Sequence, residues 1–164
     1  MESIKEFITL DKQFDNKKVI VDMQFKTGKS ELWDAFTTAE MMEKWWAPLP
    51  YKAVIKKMSF SNGGRCLYYM LSPQGEKHWC IADFSEIVPG VSYFVTDAFC
   101  DENEKINIDF PSMNWKNIFS GDEKQSRISS EISFKSQEDM KKFLELGFEE
   151  GYKIALTQLK RILE

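Results

Sequence analysis

The chain has a single histidine, His78, and three cysteines, Cys66, Cys80 and Cys100, none in CxxC spacing. A tight zinc site takes three or four such ligands, so His78 with Cys80 two residues on makes a poor one. Neither a GxSxG elbow nor a glycine-rich loop ending in Lys-Ser/Thr occurs, which removes two common routes to nucleophilic and phosphate chemistry. The lone histidine also has no recognisable motif partner for a Ser–His or Cys–His pair. No apolar run approaches the roughly 18 residues of a membrane-crossing helix. The opening, MESIKEFITLDKQFDNKK, sets acids and lysines where a signal peptide has its apolar core. Unspaced cysteines in apolar, strand-like stretches read as buried, reduced thiols, and a cytoplasmic location is expected. Positive charge never gathers into a patch: it comes in pairs such as Lys17-Lys18, Lys56-Lys57 and Lys160-Arg161, under a net charge of -4 and a pI of 5.2. Nucleic acid is therefore not an expected partner.

What the chain does have is aromatic bulk. Five Trp and thirteen Phe sit among 164 residues that are 43% hydrophobic and 29% charged, a soluble composition sufficient for one domain. So many large side chains fit either a core built from aromatics or an apolar pocket lined by them. The expected organisation is a single domain over 1–164, with 1–16 as an N-terminal extension.

Alternation from 17 to 26 predicts a first strand, and TGKSELWDAFTTAEMMEKWWAPLP reads as two short helices. Thr37 and Glu40 have capping-box spacing for the second helix, which Pro48 and Pro50 stop. Six further strands follow at about 52–60, 65–71, 77–88, 91–100, 114–120 and 126–135. Turn signals separate them, among them Asn62-Gly63-Gly64, Ser72-Pro73-Gln74-Gly75 and Pro89-Gly90. Short hairpin connections require antiparallel neighbours. The strands at 77–88 and 91–100 are apolar in both parities, so their inward faces stay open. Residues 136–164 carry Met140, Phe143, Phe148, Tyr152, Leu156 and Leu159 at helical spacing. They predict one helix of roughly 40 Å, N-capped by Ser136, that crosses the sheet.

The order of strand, two short helices, six strands and long C-terminal helix resembles the helix-grip fold of the START-like (SRPBCC) superfamily. LWDAFTTAEMMEKWWAP at 32–48, the Gly63-Gly64 pair, EIVPG at 86–90 and GFEEGYKIALTQLKRIL at 147–163 look like its AHSA-type branch, the relatives of activators of heat-shock-protein ATPase. The resemblance implies an α+β fold in which a curved antiparallel sheet of about six to seven strands grips the long helix, often around an apolar cavity. It also implies one of three roles: binding a lipid-like or polyketide-like molecule, a co-chaperone-like protein interaction, or a cyclase-like reaction.

Gly147, Gly151 and Ala155 fall four apart, so they either let helix and sheet approach closely or leave space for a ligand. Adjacent helical residues point about 100° apart, so of Trp45 and Trp46 one can plug the core while the other faces an opening. Met70, Trp79, Phe99, Trp115 and Phe143 complete the candidate ligand-binding wall, each with core packing as its alternative. Asp83, Asp97, Arg65 and His78 are the polar groups that would matter if turned inward, although outward positions are the plainer reading for them. The leading expectation is non-catalytic binding of a small hydrophobic or amphipathic ligand between sheet and C-terminal helix. A protein-interaction module with a chaperone partner is the alternative, and a cyclase-like enzyme the second alternative. No catalytic residue, cofactor or metal is expected, and the sequence leaves monomer and homodimer open.

Overall fold

The computed structural model describes residues 8–164. Eight strands form one antiparallel sheet: β1 (Ile8–Gln13), β2 (Lys18–Phe25), β3 (Lys52–Met58), β4 (Arg65–Leu71), β5 (Lys77–Val88), β6 (Ser92–Phe99), β7 (Met113–Gly121) and β8 (Ser126–Ser133). Their order is β1-β2-β8-β7-β6-β5-β4-β3, so β3 to β8 form a meander whose last strand returns beside β2. The sheet has one strand more than the six or seven expected. Ile8–Gln13, read from sequence as part of an extension, hydrogen-bonds along β2 with Ile8 opposite Met23 and Gln13 opposite Lys18. Only Ile8 of β1 is fully buried, which is why its pattern is faint in the sequence.

The helices α1 (Lys29–Thr37) and α2 (Ala39–Trp45) carry the chain from β2 to β3 at the far side of the sheet. The anticipated capping box does not form. Thr38, not Thr37, is the N-cap of α2, and both threonine hydroxyls donate back to carbonyls of α1, at Trp33 and Asp34. Trp45 is fully buried, and its Nε1 donates to the Ala35 carbonyl at 2.9 Å.

The C-terminal segment is two helices, α3 (Gln137–Glu145) and α4 (Phe148–Leu163), rather than one. Ser136 caps α3 as expected, accepting from the Asp139 amide at 3.0 Å. The break falls at Gly147, whose φ of 90° lies in the left-handed region that glycine enters without a Cβ penalty. Leu146 and Gly147 close α3 with short-range amide bonds, and a new ladder begins when the Gly151 amide donates to the Gly147 carbonyl. At ~1.5 Å per residue α4 alone spans about 24 Å. Among the described residues no helix is long and apolar enough to cross a membrane.

The core lies between the sheet's inner face and the helices, with Val19, Met23, Leu32, Trp45, Ile128, Ile132, Leu156 and Leu159 at its centre. The parity left open in sequence resolves as Cys80, Ala82 and Phe84 of β5, and Tyr93, Val95, Asp97 and Phe99 of β6, on the inner face. Their alternate neighbours are apolar for a separate reason. Leu67, Ile81 and Ala98 form a small outer cluster, with Trp79 and Cys100 packed against it.

Candidate functional site

Beneath the α3–α4 joint the inner face does not fill. A cavity of about 190 Å³ lies there, walled by Trp46, Met70, Phe99 and Trp115 from below and by Phe143, Gly147 and Gly151 from above. These are seven of the eight positions selected from sequence. The eighth, Trp79, belongs to the outer face, where its ring meets Tyr69 at 4.7 Å between centroids. An alternating strand cannot turn both Trp79 and Cys80 inward, and Cys80 is the one that lines the cavity. Of the small-residue stripe, Gly151 and Ala155 lie within α4, whereas Gly147 is the joint itself.

Sequence reading missed several contributors. Tyr68 follows Leu67 on β4 and faces in by alternation, and Tyr152, Phe148 and Leu146 come from α4 and the joint. The aromatic rings meet mostly edge to face: Trp115 with Tyr152 at 5.3 Å, Trp115 with Phe148 at 5.7 Å, and Trp46 with Trp115 at 6.0 Å. Phe148 stacks on Phe143 at 4.5 Å, tying α4 to α3. Such pairs add about 0.5–1.5 kcal/mol each beyond area burial.

Gln158, on α4, fixes the wall's remaining edge. Its Nε2 donates to the carbonyls of Trp45 and Ala47 at 3.0 and 2.9 Å, and its Oε1 accepts from the Leu49 amide at 2.8 Å. One amide side chain thus holds the segment that presents Trp46 and Pro48. Its polarity within an apolar helical stripe was the available sequence signal.

The cavity is almost wholly apolar, with two exceptions that point to chemistry. Asp97 retains only 9% of its surface, and among the described residues its Oδ1 has no hydrogen-bond partner. Burial lifts its carboxyl to about 7, a rise that the Ala98 backbone amide only partly opposes. Trp115 is likewise buried, with its Nε1 donor unpaired. Trp46 is satisfied, its Nε1 donating to the Tyr68 hydroxyl at 3.1 Å. Burial also pushes the Cys66 thiol up to about 12 and the Cys80 thiol and Tyr68 hydroxyl well above their ordinary values, so all three are neutral and poorly nucleophilic. Beside the cavity a buried chain runs from Tyr152 to Ser130 (2.9 Å), on to the Asn117 carbonyl oxygen (2.7 Å), and from the Asn117 amide nitrogen to Tyr93 (3.0 Å). Ser130 spends its only proton on Asn117, so Tyr152 donates to Ser130.

The other polar candidates lie elsewhere. Arg65 forms a two-pronged pair with Asp83 on the outer face, at 2.6 and 2.9 Å, and reaches Glu104 at 3.4 Å. His78 is exposed, 3.7 Å from Glu76. Among the described residues no three His, Cys, Asp or Glu side chains gather as a metal site.

Solved structures share this architecture. Protein Ms6760 from Mycobacterium smegmatis aligns with a TM-score of 0.87 at 23% identity, over 96% of this chain and 97% of its own. A protein from Arthrobacter aurescens aligns with a TM-score of 0.89 at 25% identity, over 94% and 90%. One from Staphylococcus epidermidis gives 0.82 at 21%, over 94% and 93%. These likenesses describe the fold. No curated protein matches the sequence significantly. The model of one family, Activator of Hsp90 ATPase homolog 1-like protein, matches residues 26–164. With most of the chain matched and the helix-grip arrangement of sheet and C-terminal helix in place, the protein belongs to the family of Activator of Hsp90 ATPase homolog 1-like proteins.

Proposed function

We propose that the protein binds a small, mainly apolar ligand in the cavity beneath the α3–α4 joint, without catalysing its conversion. The observation that carries this reading is unfilled volume walled by aromatic side chains beneath the α3–α4 joint. Interiors pack at the density of organic crystals, and voids larger than a water molecule are few. An apolar cavity of about 150 Å³ suffices for a benzene-sized guest, and this one is about 190 Å³. A catalytic reading has only Asp97 to draw on, since Arg65, Asp83 and His78 are outside and the buried thiols are neutral. Among the described residues no second carboxyl, histidine or lysine lines the cavity beside that carboxyl to share acid–base work. Native mass spectrometry beside denaturing extraction tests the proposal, with a small molecule released on denaturation as the expected result. Gly151→Leu, which puts a side chain where the glycine faces the cavity, is expected to abolish uptake in a folded protein. A folded Gly151→Leu protein that takes up ligand normally would overturn the assignment of the cavity.

A second reading, a chaperone-directed interaction module, is favoured by the 101–112 loop. There Ile108 is 90% exposed, with Ile106 and Phe110 also on the surface. It predicts that the protein stimulates the ATPase of an Hsp90-type chaperone and that Ile108→Ser weakens this. An unchanged ATPase rate removes it.

A further inference from the structure

Two buried, unpaired polar atoms, one acceptor and one donor, belong to side chains that line the same apolar cavity. Asp97 stands opposite Met113 on β7, and its neighbour on the inner face, Val95, stands opposite Trp115. Asp97 and Trp115 are therefore diagonal neighbours on the inner face, about 7–8 Å apart at the backbone and within reach of long side chains. Buried polar groups are normally hydrogen-bonded, and each exception calls for an explanation. Among the described residues the Oδ1 of Asp97 lacks a donor and the Nε1 of Trp115 lacks an acceptor, and none of them brings a lysine, arginine or histidine to the cavity wall.

We infer that the ligand is an apolar molecule of about eight carbon atoms bearing a neutral hydroxyl, which donates to Asp97 Oδ1 and accepts from Trp115 Nε1. The inference rests on the cavity being a ligand site, as proposed above. Other head groups satisfy the pair less well. A carboxylate would face Asp97 with no cation to offset the repulsion. An ammonium would offset the charge of an ionised Asp97, but it brings several donors to one free acceptor and leaves the Trp115 donor unmatched. A hydrocarbon or an ether gives Asp97 no donor, and the buried oxygen stays unpaired. A hydroxyl supplies one donor and one acceptor from a single atom.

The test measures affinities of para-ethylphenol, para-ethylanisole and phenethylamine by calorimetry near neutral pH, for the parent chain, Asp97→Leu, Asp97→Asn and Trp115→Phe. Circular dichroism confirms the fold of each variant. The parent is expected to bind the phenol at least about tenfold tighter than the methyl ether, the effect of roughly one buried hydrogen bond. Asp97→Leu erases that preference, Trp115→Phe reduces it, and Asp97→Asn, which keeps an acceptor oxygen in the same place, retains part of it. Equal affinities for phenol and ether in the parent overturn the head-group assignment while leaving the cavity a ligand site. An amine that binds tightest overturns it in favour of a cation. If none of the three binds and Gly151→Leu behaves as the parent, the ligand reading itself falls.

Discussion

Burial holds the Asp97 carboxyl at about 7, whereas an unfolded chain titrates it near ~3.9. Between these values the folded state keeps a proton that the unfolded state has released. Stability therefore falls as pH rises through this window, and the penalty is complete above about 7. The titratable groups around it, Cys66, Cys80 and Tyr68, stay neutral throughout. Glu104, Asp122, Glu149 and Glu164 are held below the usual carboxylate range and act with the opposite sign as acid is added. The variant-minus-parent difference isolates Asp97. Asp97→Asn is expected to raise the thermal midpoint at about pH 8 and to change it little near pH 4, with a difference of up to ~4 kcal/mol between the two. A pH-independent difference would show that Asp97 does not titrate in this window. Gln158→Ala removes three hydrogen bonds and is expected to cost about 1–3 kcal/mol in denaturant unfolding. It should also raise the fluorescence response of Trp46 to aqueous quenchers. The aromatic wall was legible in the sequence because Trp46 and Trp115 are large apolar side chains and Phe143 sits at helical spacing. Asp97 was not, because TDAF offers apolar neighbours in both parities and only the register of β6 with β7 decides which way the carboxylate turns.

Hairpin punctuation made the strands readable as elements. Pro89-Gly90 reverses the chain with the Val91 amide donating to the Val88 carbonyl at 2.9 Å, and Gly90 supplies the φ of 75° such a turn demands. Periodicity was less informative about the helix break, because the apolar stripe runs on through residue 147 without changing phase. The two glycines of that stripe are expected to respond oppositely to substitution. Gly147→Ala forces a side chain into the left-handed region, and its new methyl has no neighbouring atom within 4 Å to pack against. It should therefore cost about 1 kcal/mol or more. Gly151→Ala meets only Pro48 Cγ, at an ordinary 3.8 Å, and in a helix interior should stabilise by about 0.5–1 kcal/mol. Chemical denaturation of the two variants side by side checks the opposition. Equal shifts would mean that the joint is not glycine-dependent.

At the scale of the molecule, the open sheet formed by the described residues has β1 and β3 as its edges. β3 carries Lys52, Lys56 and Lys57, the kind of charge that discourages edge pairing. β1 instead covers β2, whose four inward residues Val19, Val21, Met23 and Phe25 are all buried. Deleting residues 1–13 is expected to lower the thermal midpoint by several degrees and to increase light scattering with concentration, as the β2 edge becomes available to a second chain. An unchanged melt would assign β1 no part in stability. Long-range order of this kind was only partly legible. Hairpin signals fix only sequential neighbours, so the return of β8 beside β2 was not legible, and β1 has a single buried residue to announce it.

The interruption at Gly147 divides the lid over the cavity into two separately bonded pieces. Nine-residue helices are marginal alone, so α3 is held chiefly by Met140 and Phe143, both buried against the rest of the molecule. Its amide hydrogens can therefore exchange with solvent through a local opening that leaves the α4 ladder protected. Such an opening withdraws Phe143 from the cavity wall and exposes the interior without unfolding the sheet. Under the proposed binding role, undocking of this one short helix is one route into the cavity, and substitution at residue 147 is expected to change amide exchange in α3 without touching any residue of the sheet.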